Sequence, residues 1–321
     1  MATKGRELNR KRILCVGASP ALQRVMIFQA LTIDAVNRAK ATYDGIAGKS
    51  VNVAKVLKSL GENPVAVGFA GGEHGTSLVN QLKARKIATN FVSVQALTRQ
   101  CVTVIDETKE MVTELVEETQ PVSPADYETL LAIVRKKAAQ SQAIILSGTL
   151  TPGGPVDFYR RCARLANVAG AFSVVDAQGP ALRQALETKP GVIKPNRSEL
   201  AATVGHPLPH DSAIRAAMRK LNERGAQRVV VTAGKAPTLA YDGRFIWRIN
   251  NPVIRAVNPI GSGDAFTAGL VWRLLKGDDL GEACRWAAAV GAANALTILA
   301  GEIDLGEVEK LAKKVVVERV D

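Results

Sequence analysis

The segment 257–270, VNPIGSGDAFTAGL, sets Gly261, Ser262 and Gly263 directly ahead of Asp264, and an apolar helical run follows. Glycines let a ligand approach backbone N–H groups closely. At the start of a helix those N–H groups and the positive end of the helix dipole favour a phosphate-like anion. A carboxylate beside such a site is a poor binding group, since like charges repel. It is well suited to accept the proton of a hydroxyl that attacks phosphorus. The spacing alone leaves a second reading open, in which Asp264 only caps the helix. A similar ambiguity attends KPNRSE, where Glu199 follows Asn196 by three residues at a helix start, the spacing of a cap pair.

Groups of this kind need a scaffold that brings distant segments together. RILCVG, PVAVGFAGG with its closing glycine turn, AIILSG, FSVVDAQG, GVIKPN and RVVVTAG read as short apolar strands, with helical runs such as VNVAKVLKSLG and HGTSLVNQLKARK between them. SPADYETLLAIVRKKAAQ opens with Ser123 and Asp126 in capping spacing and Pro124 at the first helical position. This alternation predicts an α/β fold, a parallel sheet covered on both faces. Ligands of such sheets gather at the carboxyl ends of strands. The places to search are therefore Ser147-Gly148, Asp176, Lys194-Pro195-Asn196 and Thr232-Ala233-Gly234. Segments 20–46 and 97–120 depart from the alternation. Cys101–Ile105 and Met111–Val116 form two β-type runs around a polar turn. The two segments are read as β excursions that together form a small lid.

Composition narrows the function classes. The 321 residues are 47% hydrophobic and 22% charged, enough for a large core, but only 4% aromatic, so aliphatic and alanine packing must dominate it. Cys15, Cys101, Cys162 and Cys284 lie far apart, and His74, His206 and His210 show no ligand spacing. Packed, reduced thiols are expected, and no structural zinc site. Residues 1–12 hold five basic side chains against one acidic and read as a basic tail, with the remaining chain from 13 to 321 as one domain into which the two lid segments are inserted. No apolar run reaches the ~18 residues of a membrane span, and the first residues lack the apolar stretch of a secretory signal. A cytoplasmic protein without a membrane partner is expected. The net charge of +12 would attract phosphorylated metabolites as readily as nucleic acid, and no zinc finger or aromatic RNA-binding pattern supports the latter.

NPIGSGDAFTAGL resembles the C-terminal motif of the ribokinase-like (PfkB) carbohydrate kinases. VIKPNRSEL resembles the Asn-x-x-Glu segment of that family, SGTLTPGGPVDFY its Gly-Ser-Leu-Pro segment, LTRQC and VTEL the paired lid segments of its phosphosugar branch, and AANALT its adenine-side helix. The matches run in family order over residues ~13–305 and are closest to the branch with 1-phosphofructokinase and tagatose-6-phosphate kinase. The resemblance implies a ribokinase-like αβα sandwich with a mostly parallel central sheet and a β-sheet lid. It implies ATP-dependent phosphorylation of a sugar hydroxyl, with Asp264 as general base and Gly261, Ser262 and Gly263 holding the transferring phosphoryl group. Asn196 and Glu199 would position Mg²⁺ through waters. Lys194, Thr232, Gly234 and Asn294 match nucleotide-side positions, and Gln23, Gly48, Lys49, Asn52, Arg99 and Thr149 match sugar-side ones, with Lys49 and Arg99 on the phosphate already carried by the sugar. A homodimer joined through the lid is also implied.

The sequence departs from the family pattern at named places. Pro237 stands where a second glycine is usual after Thr-Ala-Gly, so the loop there is expected to take another path. Gln23 replaces the aspartate that grips sugar hydroxyls, Ala47 and Ser50 replace glycines, and Cys101 replaces an asparagine. With Lys49 and Arg99 kept, the expectation is a phosphorylated ketohexose of the fructose-1-phosphate, tagatose-6-phosphate or fructose-6-phosphate type. The alternatives are a weakened nucleotide- or sugar-phosphate-binding sensor, and a kinase of a free sugar or nucleoside.

Overall fold

The computed structural model describes residues 12–320, so the basic tail lies outside the described residues except for Arg12. Strand β1 (Arg12–Gly17) is followed by β2 (Ala21–Phe28), β3 (Ala41–Ala47), α1 (Lys49–Ser59), β4 (Pro64–Ala70), α2 (Gly72–Ala84), β5 (Ala88–Ser93), β6 (Arg99–Asp106) and β7 (Met111–Val116). Next come α3 (Pro124–Ala138), β8 (Ser141–Ser147), α4 (Phe158–Val168), β9 (Phe172–Asp176), α5 (Gly179–Ala185), β10 (Val192–Ile193), α6 (Arg197–Val204), α7 (Asp211–Glu223) and β11 (Val229–Ala233). The chain ends with β12 (Ala236–Tyr241), β13 (Ile246–Asn250), α8 (Ser262–Leu274), α9 (Leu280–Ala295), α10 (Leu305–Ala312) and β14 (Val316–Arg319).

Ten strands form one sheet in the order β14-β13-β12-β11-β10-β9-β8-β1-β4-β5. Its pairs are parallel from β5 to β11, and antiparallel from β11 through β14. The strands are apolar on both faces because both are covered. Leu14 and Val16 of β1 join the cluster under α3, α4, α5 and α7, and Ile13 and Cys15 join the one under α1, α8, α9 and α10. That layering is the α/β sandwich the alternation predicts. Packing between α8 and α9 is as close as the low aromatic content requires: a Cβ on Gly269 would come within 3.0 Å of the Ala287 Cα.

The other four strands form a separate sheet, β3-β2-β6-β7, drawn from the two excursion segments. Here β2 runs parallel to β6 and antiparallel to β3. Ser123 caps α3 as its spacing predicts, accepting the Asp126 N–H, with Pro124 in the first turn. Three features escape the sequence reading. GVIKPN contributes only Val192–Ile193 as strand, β5 extends one edge, and β12 to β14 add the antiparallel edge. Pro237 lies just after the turn that follows Ala233. Ala233 pairs with Ala236 across a two-residue turn, and the ladder shifts register there, which leaves Pro237 outside the paired positions on either side.

Candidate active site

Asp264 lies in the first turn of α8 and is 7% exposed. Its carboxylate does not cap the helix; Asn52 Nδ2 of α1 donates to its Oδ2 at 2.8 Å. Burial pushes its pKa up to about 7, against the pull of Lys49, with the Asp176 charge adding to the rise. A carboxyl poised there is matched to proton transfer near neutral pH. The residue ahead of the helix, Gly261, has φ of 83°, in the left-handed region, and a Cβ there would strike the Ala300 Cβ at 2.8 Å. Only glycine fits both demands. Gly263 is exposed, and a Cβ built on it would stand 3.9 Å from Lys194 Nζ. A backbone turn open to solvent, a cation behind it and a buried carboxylate beside it are thus brought together.

Asp176, at the carboxyl end of β9, is the hub of this arrangement. It is fully buried. Lys49 Nζ is 3.2 Å from its Oδ1, Lys194 Nζ is 3.2 Å from its Oδ2, and the Thr267 hydroxyl donates to it at 2.9 Å. Burial alone would raise its pKa, but Lys194 and Lys49 outweigh that and hold it below the usual carboxylate value. Lys49 donates as well to Glu199 Oε1 at 2.8 Å. Burial works to lower the Lys49 ammonium, and Asp176, Asp264 and Glu199 together overcome it, so its pKa is raised. The sequence marks Asp176 only as a strand end, and gives no sign of Thr267. Their partners lie up to 127 residues away, and no local spacing signals them.

Several residues assigned from the sequence sit differently from their expectation. Asn196 and Glu199 form a complete capping box on α6. The Asn196 Oδ1 accepts from the Glu199 N–H at 2.8 Å and the Ser198 hydroxyl at 2.7 Å, so it is already engaged, whereas Glu199 still turns Oε1 toward Lys49. Asn294 is fully buried and spends its amide inside the protein: Nδ2 donates to Ile260 O and Ser262 Oγ, and Oδ1 accepts the Gly301 N–H. It braces the Gly261 turn through both polar atoms of its amide. Gln23 is 1% exposed, donating to Thr103 Oγ1 at 3.4 Å and accepting the Ala300 N–H at 3.1 Å. Ser50 turns inward against Gly17. Lys49 stands among the carboxylates, and it shares no hydrogen-bond or ion-pair partner with Arg99 among the described residues. Arg99, half-buried on β6, donates from Nη1 to Glu117 O at 3.1 Å. Thr149 is exposed on the loop after β8, Gly48 opens α1 and packs on Pro20, and Gly234 lies at the turn after β11. Thr232 meets Asn196 in a bridge that joins two of the expected strand ends.

The pattern of the pfkB family carbohydrate kinases matches residues 10–304. The chain belongs to that family. It is therefore a sugar kinase. It is similar in structure to a Thermotoga maritima protein described as a possible 1-phosphofructokinase, with 27% identity over 97% of this chain and 100% of that one, at a TM-score of 0.89. It is also similar to Escherichia coli phosphofructokinase-2. The structure of that enzyme with fructose-6-phosphate superposes at a TM-score of 0.84 and its tetrameric inhibited form at 0.85, each with 25% identity over 94% of this chain and 98% of that one. Among the described residues no helix is long and apolar enough to cross a membrane.

Proposed function

We propose that this kinase transfers the γ-phosphoryl group of ATP to a hydroxyl of a phosphorylated ketohexose. The observation that carries the reading is Asp264: a buried carboxyl poised near 7, beside an open glycine turn backed by Lys194. In the reaction the sugar hydroxyl attacks the γ-phosphorus, its proton passes to Asp264, and the bond to the β-phosphate oxygen breaks to release ADP. The Gly261 and Gly263 amides, Lys194 and Lys49 meet the charge that spreads over the transferring oxygens. Asn52 orients the base. Asp176 holds both lysines in place from the protein side. Thr232 and Gly234 line the nucleotide side.

Mg²⁺ fits the oxygen donors present, and Glu199 is the residue that would hold it through water, its carboxylate keeping lone pairs beyond those that accept from the Asn196 N–H and Lys49. Among the described residues no group of three or more His, Cys, Asp or Glu is arranged to ligate a metal directly. When bound, the ion would supply charge neutralisation to the nucleotide phosphates.

Arg99 supports a substrate that already carries a phosphate, because a guanidinium suits bidentate contact with phosphate oxygens. The similarity to phosphofructokinases points to the same substrate class. Release of ADP, followed in a coupled assay, should appear with fructose-1-phosphate, tagatose-6-phosphate or fructose-6-phosphate and not with free sugars or nucleosides. Turnover on a free sugar alone would overturn the phosphosugar assignment. ATP binding without ADP from any acceptor would favour a sensor. The separate sheet is proposed as the joint of a homodimer, since Met111, Leu115 and Val116 of its outer strand and Tyr43 of β3 are exposed. Light scattering at assay concentration that finds only monomer would refute that joint.

A further inference from the structure

Helix α1 carries a second lysine, Lys55, that the transfer step does not use. It is 2% exposed. Its Nζ donates to Ile46 O of β3 at 3.1 Å and to Ala300 O at 2.5 Å, and lies 3.3 Å from Glu302 Oε1. A buried ammonium is costly unless it is paired and hydrogen-bonded, and this one meets two carbonyls and a carboxylate. A methionine or leucine would fill the same space at no such cost, so the charge itself calls for a reason.

The reason lies in what Ala300 touches. Its C=O is held by Lys55 and its N–H by Gln23 of the separate sheet. Its methyl group is the one that a Cβ at Gly261 would strike. The next N–H, of Gly301, goes to Asn294, which grips Ile260 O and Ser262 Oγ in turn. Gly301 also packs on Asn52, the partner of Asp264. Residues 300 and 301 are thus the backing of the glycine turn. We propose that Lys55 is a positioning residue for phosphoryl transfer: its ammonium pins the 300–301 turn, and through it the turn Gly261–Gly263, where the transferring group is held. This rests on the kinase reading above.

The charged groups facing Lys55 are Glu302, from the turn after α9, and Arg85, from the end of α2, whose Nη1 lies 2.7 Å from the same Glu302 oxygen; β3 meets it with the Ile46 carbonyl. Burial lowers the ammonium to about 8, with Glu302 opposing and Arg85 adding to the fall. The pin is charged below that pH and is lost above it.

The test compares the unmutated protein with Lys55→Met and Lys55→Arg, using ATP and the sugar phosphate that responds. In Lys55→Met, kcat should fall about 10- to 100-fold, the effect of a sub-ångström to ångström misplacement, with the sugar KM within about threefold. The unmutated enzyme should lose activity as pH rises through about 8, and Lys55→Arg should keep it, because a guanidinium stays charged. An unchanged kcat in a folded Lys55→Met protein, or the same alkaline limb in Lys55→Arg, overturns the proposal. Should Lys55→Met not fold, the alkaline limb of the unmutated enzyme decides, and its absence refutes the pin. Should the unmutated protein release no ADP, the kinase reading fails separately. Calorimetric ATP affinity then tests the pin: about tenfold weaker in Lys55→Met supports it, and unchanged affinity overturns it.

Discussion

The surroundings of Asp264 and of Gln23, joined through Ala300, use buried polar groups in opposite ways. Around Asp264 the groups are gathered by opposite charge and left incompletely satisfied: Gly263 is open, and Asn52 Oδ1 is buried without a partner among the described residues. Around Gln23 they are tied off, with the amide spent on Thr103 and Ala300, Ser50 turned inward, and Cys101 buried at 4% exposure. Unsatisfied buried polarity costs free energy, and it persists where a ligand completes it. The contrast teaches which side chains are built for chemistry and which have been taken over by the fold.

The sharpest way to break the comparison is Asp264→Asn. Turnover should fall about 10²–10⁴-fold, the worth of a positioned base, while ATP still binds to the untouched glycine turn. In the unmutated enzyme kcat/KM should rise with pH up to about 7, because the base must be ionised, before the fall through about 8 that Lys55 imposes. Stability gives an independent sign. The folded pKa of about 7 lies above the ordinary 3.8, so the folded state binds the proton more tightly and loses stability as pH rises between those values. Asp264→Asn removes that loss and should raise Tm at pH 8 more than at pH 4. A near-normal turnover would remove Asp264 from the chemistry.

Lys49→Met comes next. It strips a cation from Asp176 and Glu199 and from the charge of the transferring group. Loss of one such preorganised group costs about 10²–10³-fold in kcat. If the main effect were on the sugar KM, Lys49 would belong with Arg99 after all.

These two sites differ in how far the sequence reveals them. Asp264 stands out because a carboxylate at the mouth of an apolar helix, after two glycines, is unusual in chemical terms. The alternation of apolar strands and helices likewise conveys the sheet, since periodicity is local. Asp176, Thr267 and Lys55 do not stand out. Each acquires its role from contacts across the chain, and Lys55 reads as an ordinary lysine in a helical run until Ile46 and Ala300 close over it. Asn294 and Gln23 show the same limit. Their positions in the order of motifs agree with the family, but whether an amide faces a ligand or a neighbouring backbone depends on packing that spacing does not encode. The β12–β14 edge is missed because APTLAY and IWRIN are short and lack a helix between them.

Arg99→Ala sharpens the comparison from the other side. Removing a charge-assisted contact to a phosphate costs roughly 1.5–3 kcal/mol, about 10- to 150-fold in the KM for the sugar phosphate, with ATP little affected. A rise in the ATP KM instead would place Arg99 away from the sugar.

The smallest functional effect is expected at Gln23. Gln23→Ala leaves the Ala300 N–H and the Thr103 hydroxyl without a partner in a buried place, each loss worth about 1–3 kcal/mol. Thermal stability should therefore drop clearly. The sugar KM should move less than about threefold, because the amide that disappears was already engaged by the protein, and kcat should fall less than in Lys55→Met, since Ala300 keeps its hold through Lys55. A hydroxyl-reading glutamine predicts the reverse, a large KM change with little loss of Tm. That outcome would mean that Gln23 opens toward substrate during the reaction, and its contrast with Asp264 would fall.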